Sequence, residues 1–135
     1  MDRRVALPPA PDPRTPAALK HIAQVFNNDY QNGVYPPVYA RWDRASQAII
    51  SEADYLRRHT ECATSAGARA VVESVSAGPH GFWLVRYEIG GQQFVDYWTY
   101  QAGHWRFDLP RSNPSSVSLY RMSFRQYAKA VGCQS

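Results

Sequence analysis

The sequence predicts an α+β fold, with helices first and an antiparallel sheet after them. Three observations predict it. Apolar residues recur at helical spacing through the first half of the chain. From Ala68 onward they alternate, as on a half-buried strand. Two short turn signals, Gly90–Gly91 and Ala102–Gly103, then divide the alternating part into hairpins.

Each element follows from local chemistry. Thr15 can cap a first helix and Pro16 suits its first position, with Leu19, Ile22, Phe26 and Tyr30 on one stripe and Gly33 past the end. A second helix is expected from about Pro37 to Ala48, with Val38, Trp42 and Ala45 on one face. Ser51 followed by Asp54 resembles a capping box, so a third helix should run from Glu52 to Glu61. Strands are expected over Arg69–Ser76, Phe82–Ile89, Gln92–Gln101 and His104–Leu109. Pro110–Ser116 reads as a loop, and Val117–Met122 fits strand and helix equally. A last helix, Ser123–Val131, is capped by Ser123 and ended by Gly132.

The two tight turns set a register. Ile89 should pair with Gln92, Tyr87 with Phe94, Val85 with Asp96 and Trp83 with Trp98. Tyr100 should pair with Trp105, Trp98 with Phe107 and Asp96 with Leu109. Residues directly opposite share a face. One face therefore gathers Trp83, Tyr87, Phe94, Trp98, Tyr100, Trp105 and Phe107 around a single carboxylate, Asp96. The other face is mixed and can meet solvent or a second copy of the chain.

Composition narrows the class. The chain has 135 residues, one domain's worth, and 13% aromatic residues, too many for a disordered chain. No apolar run is long enough for a membrane helix. The net charge of +4 rests on thirteen Arg and two Lys. It is not dense, and no nucleic-acid-binding motif accompanies it. Arg41, Arg44, Arg57, Arg58 and His59 read as a solvated basic stripe on the helices. Two cysteines without a CxxC spacing make no zinc site, and no metal or cofactor motif is present.

Cys62 and Cys133 are read as a disulfide, the alternative being two separate thiols. The bond would pin the C-terminus to the helical half and stabilise the fold by about 4 kcal/mol in the chain-entropy model. It implies an oxidising compartment. Residues 1–15 read as a stiff Pro-rich linker, leaving 16–135 as one domain. They contain no signal-peptide core. A linker ahead of a disulfide-bonded domain leads to the expectation of an extracytoplasmic protein, anchored or secreted through a segment absent from this chain.

The order of elements, the segment Tyr39–His59 (YARWDRASQAIISEADYLRRH) and the aromatic-faced meander resemble the nuclear transport factor 2-like superfamily, with its cystatin-like cone. The resemblance spans about residues 16–132. It implies a secreted or envelope-associated bacterial member, and a cone that serves as ligand pocket, catalytic pocket or assembly surface. The leading expectation is a non-catalytic domain that binds a small apolar ligand or an envelope partner. The alternatives are an assembly domain of a secretion or conjugation complex and a small isomerase, cyclase or hydrolase.

In that enzyme reading, Asp96 is the acid–base and Tyr87, Tyr100 or Tyr30 donates to substrate. A second acid would have to come from Asp29, Asp43 or Asp54. The plainer reading has Asp96 paired with Arg41, Arg57 or the Trp42 indole, because a buried carboxylate needs a partner. The cluster Trp83, Tyr87, Phe94, Trp98, Trp105 and Phe107 is likewise read first as core and second as a ligand pocket.

Overall fold

The first helix, α1, forms where its capping signals stand. It spans Pro16–Gln31, and Thr15 Oγ1 accepts from the Ala18 amide at 3.1 Å. The structure, a computed structural model, describes residues 6–62 and 68–133. Residues 1–5 of the expected linker and 134–135 of the expected domain lie outside that range.

The helix expected over Pro37–Ala48 is two helices, α2 (Tyr35–Ala40) and α3 (Arg44–Gln47). Tertiary pairing divides them. The Asp43 amide donates to Phe107 O and the Phe107 amide to Arg41 O, each at 2.8 Å, a short parallel bridge onto the sheet. Asp43 then caps α3 by accepting from the Ser46 amide at 2.9 Å. The next helix, α4, spans Glu52–Glu61, and Ser51 accepts from the Asp54 amide as expected.

Four strands follow: β1 (Ala70–Ala77), β2 (Trp83–Ile89), β3 (Gln92–Gln101) and β4 (His104–Asp108). They form one open antiparallel sheet in chain order. The β2–β3 and β3–β4 registers are those the turns dictate, with Trp83 opposite Trp98, Val85 opposite Asp96 and Tyr100 opposite Trp105. All four turn residues have positive φ: Gly90 (58), Gly91 (83), Ala102 (50) and Gly103 (82). That is the type I′ geometry matching strand twist. A side chain at Gly103 would also come within 3.3 Å of the Pro11 Cβ.

The expected Asp96–Leu109 pair does not form. The ladder ends at Tyr97 opposite Asp108, because Asp108 turns to cap a helix and accepts from the Arg111 amide at 2.9 Å. This helix, α5 (Leu109–Ser112), and the next, α6 (Pro114–Tyr120), replace the expected loop. Pro110 and Pro114 stand in their first turns, where the missing N–H would have had no partner. The last helix, α7, spans Phe124–Ala130 and carries a full capping box between Ser123 and Gln126.

Both sheet edges are engaged. On β1 the Gln24 side chain adds a rung, donating to Ala70 O at 2.9 Å and accepting from the Val72 amide at 2.8 Å. The register of β1 shifts between Val72 and Ser74, so Ala70, Val72 and Val75 all oppose residues of the inner face. On β4 the bridge through Trp42 occupies the edge. The expected disulfide is present: Cys62, after α4, is bonded to Cys133, after α7. No helix among the described residues is long and apolar enough to cross a membrane.

Candidate functional site

Between α1, α4, α6 and the inner sheet face lies a cavity of about 560 Å³. Phe26, Asn27, Tyr30 and Gln31 enter it from α1, Tyr55 from α4 and Tyr120 from α6. The sheet supplies Tyr87 and Ile89 from β2, Phe94 and Asp96 from β3, and Phe107 from β4. Its size and its lining of aromatic side chains with a few polar groups among them match sites for small organic ligands.

Asp96 sits in the wall at the centre of β3 and is 7% exposed. Its alternating position brought it inward, opposite Val85. The Tyr87 hydroxyl donates to Asp96 Oδ1 at 3.3 Å. Among the described residues no cation pairs with it. Arg41 donates instead to Asp12 at 2.6 Å and Arg57 to Glu61 at 2.8 Å, and the hydrogen bond that Asp96 accepts comes from Tyr87 and not from the Trp42 indole. The plainer expectation, an Asp96 neutralised from the helices, is therefore not what the fold builds. Burial pushes the Asp96 carboxyl up to about 7, and the Tyr87 bond opposes that only in part. Burial, with the Asp96 charge after it, holds the Tyr87 phenol above its ordinary range.

The expected pocket residues divide into three groups. Tyr87, Phe94 and Phe107 line the cavity with Asp96, as does Tyr30. Tyr87 and Phe94 stack with ring centres 5.4 Å apart. Trp98, wholly buried, belongs to the core, edge-on to Phe26 at 4.9 Å. Trp83, Tyr100 and Trp105 cluster at the other end of the hairpin. Tyr100 spends its hydroxyl there, donating to Asp12 O at 2.6 Å, so it is not placed to act with Asp96.

None of the three helical acids completes a carboxylate pair with Asp96. Asp54 accepts from Arg58, and Asp29 lies by the separate cleft beneath Leu7 and Pro8. Asp43 caps α3 and faces Asp108, whose carboxyl burial and that contact push upward.

Behind the cavity, His59 packs against Tyr55 and Tyr35, with ring centres 4.5 and 4.6 Å away. Its Nε2 lies 2.9 Å from the Tyr120 hydroxyl. Burial lowers its pKa to about 4, so it is neutral at physiological pH. Arg58, 2% exposed, donates to Leu119 O at 3.0 Å and Met122 O at 2.5 Å, closing the end of α6. With Arg41 committed to Asp12, the expected basic stripe is not a continuous solvated face.

The Pro-rich segment docks. Asp12 Oδ2 accepts from Arg41, from the Trp105 amide at 3.0 Å and lies 3.2 Å from His104 Nδ1. The Trp105 indole donates to Pro13 O at 2.9 Å, and the Asp12 amide to Gly103 O at 2.8 Å. Burial raises the Asp12 carboxyl, but Arg41, the Trp105 amide and His104 outweigh it and leave the pKa lowered.

The sequence reading missed Gln31, Asn27, Tyr55 and Tyr120 as cavity residues. A signal existed for two: Asn27 and Gln31 are polar and a helical turn apart beside the Phe26 stripe. Among the described residues no group of three His, Cys, Asp or Glu side chains gathers to hold a metal. Comparison with protein-family models, curated proteins and solved structures finds no match to this chain.

Proposed function

We propose that this chain is a small-ligand-binding domain of the nuclear transport factor 2-like kind, working outside the cytoplasm. The observation that carries the reading is the cavity of about 560 Å³, ringed by aromatic side chains and holding one buried carboxylate with no cation beside it among the described residues. A core with no binding role has little reason to keep such a group, because its burial costs stability. The disulfide supports the oxidising compartment. The element order and aromatic inner face support the family resemblance.

A neutral apolar fluorescent dye tests the reading. It should bind saturably at one site per chain and be excluded by Ile89→Trp, which fills the cavity from its wall. Binding unchanged in a folded Ile89→Trp protein would place the dye elsewhere and remove the support.

The second reading is an acid–base enzyme, favoured by the Asp96 carboxyl standing at about 7 beside the Tyr87 and Tyr30 phenols. Asp96 would carry a proton between substrate atoms while a phenol donates to a substrate oxygen. Activity found by substrate screening should disappear in Asp96→Asn and survive in Tyr100→Phe.

A further inference from the structure

Two buried acceptors line the same cavity without a full complement of donors. Asp96 has only the long bond from Tyr87 among the described residues. Gln31 is 8% exposed, and its Oε1 has no hydrogen-bond partner. Buried acceptors are normally satisfied, so each marks a place where a donor is wanted. Among the described residues no Lys, Arg or His lines the cavity; beside the neutral Asn27, Gln93 and Asn113 amides and the Ser112 and Ser116 hydroxyls, the rings of Tyr30, Trp42, Tyr55, Tyr87, Phe94 and Phe107 do. Aromatic faces attract cations, and more strongly where water is excluded. An anionic ligand would meet Asp96 with nothing to offset the repulsion.

We infer that the cavity takes a small organic amine in its protonated form, an ammonium on an aromatic or aliphatic body, donating to Asp96 and Gln31. The inference rests on the reading of the cavity as a ligand site and adds the ligand's chemical class. The ammonium supplies both things Asp96 lacks, a positive charge and N–H donors. The apolar body fills the aromatic part of the cavity.

The competing class is a neutral carbonyl compound, which would accept from a protonated Asp96. The two differ in the sign of their pH dependence. Among the described residues, the other titratable groups lining the cavity with Asp96 are phenols: Tyr30 from α1, Tyr55 from α4, Tyr87 from β2 and Tyr120 from α6. Burial holds each above its ordinary range, so none ionises near neutrality. Among the described residues that line the cavity, Asp96 alone changes charge there. Ammonium binding should tighten as pH rises and Asp96 ionises, whereas carbonyl binding should weaken.

Calorimetric titration of the whole chain with phenethylamine, phenethyl alcohol and acetophenone tests this. Between about pH 5 and about pH 8.5 phenethylamine affinity should rise at least tenfold, and at the higher pH it should exceed that of the alcohol. Asp96→Asn should abolish the rise, and the wild-type pH dependence stands as a measurement that needs no variant. If the ketone or alcohol binds as tightly as the amine, or amine affinity falls with pH, the ammonium assignment is wrong while the ligand site stands. If none of the three binds while the dye of the preceding test does, the ammonium assignment falls and the ligand site stands; if the dye fails as well, the cavity reading falls and the assignment with it.

Discussion

The Tyr87 hydroxyl reaches Asp96 Oδ1 at 3.3 Å between neighbouring strands, and no cation among the described residues stands by either group. A raised carboxyl pKa means that the folded state holds a proton the unfolded chain has released. Between the ordinary value of 3.8 and about 7, stability therefore falls as pH rises. Asp96→Asn keeps the shape without the charge. The variant should be more stable than wild type by on the order of a few kcal/mol at about pH 8, and lose that advantage near pH 4. Thermal melts of both proteins across this range check the sign.

His59 works in the opposite direction. Its folded pKa of about 4 lies below the ordinary 6.5, so the unfolded chain binds the proton first. Stability is present above the unfolded value and is lost as pH falls toward about 4, by up to roughly 3 kcal/mol. His59→Gln should flatten this part of the pH profile. Histidine resonances followed by NMR should show one imidazole titrating near pH 4; a value near 6.5 for all of them would contradict the buried neutral ring.

The disulfide closes a separation of 71 residues between Cys62 and Cys133. Replacing both cysteines by serine should lower stability by about 4 kcal/mol in the chain-entropy model. Urea unfolding of the double variant against the oxidised wild type measures it. Mass analysis with and without reductant, after alkylation, should find no free thiol in the oxidised protein.

Asp12 ties the Pro-rich segment to β4 and α2. Asp12→Ala leaves the largely buried Arg41 guanidinium and the Trp105 amide without their shared acceptor. The expected cost is about 2 kcal/mol, the penalty of buried donors left unmade. Chemical denaturation checks it, and hydrogen exchange should show the Trp105 amide losing protection. An unchanged midpoint would mean that the segment is not held as described.

Much of the sheet was legible because its signals are local. Two-residue turns of the right residues fix the β2–β3 and β3–β4 pairings, and alternation then assigns faces. Thr15, Ser51 and Ser123 mark helix starts by the same kind of short-range chemistry. The break between α2 and α3 was not legible, since it depends on Phe107, more than sixty residues away in the sequence. Nor were α5 and α6, where Pro110 and Pro114 read as loop residues until they fall in first turns.

The site divides in the same way. Sequence alone determined that Asp96 and the aromatics of β2, β3 and β4 share a face, because side-chain direction in a strand follows from parity and register. Tertiary structure decided which of them meet a cavity, since that depends on what packs opposite. The docked Asp12–Pro13 segment draws Tyr100 and Trp105 to one end of the hairpin, and α1 packs Phe26 against Trp98. Asp96, Tyr87 and Phe94 are left facing the space that α1, α4 and α6 do not fill. Whether Asp96 had a cationic partner was likewise a matter of packing. Arg41 and Arg57 found nearer carboxylates in Asp12 and Glu61, and a charge engaged there is not free to neutralise the sheet.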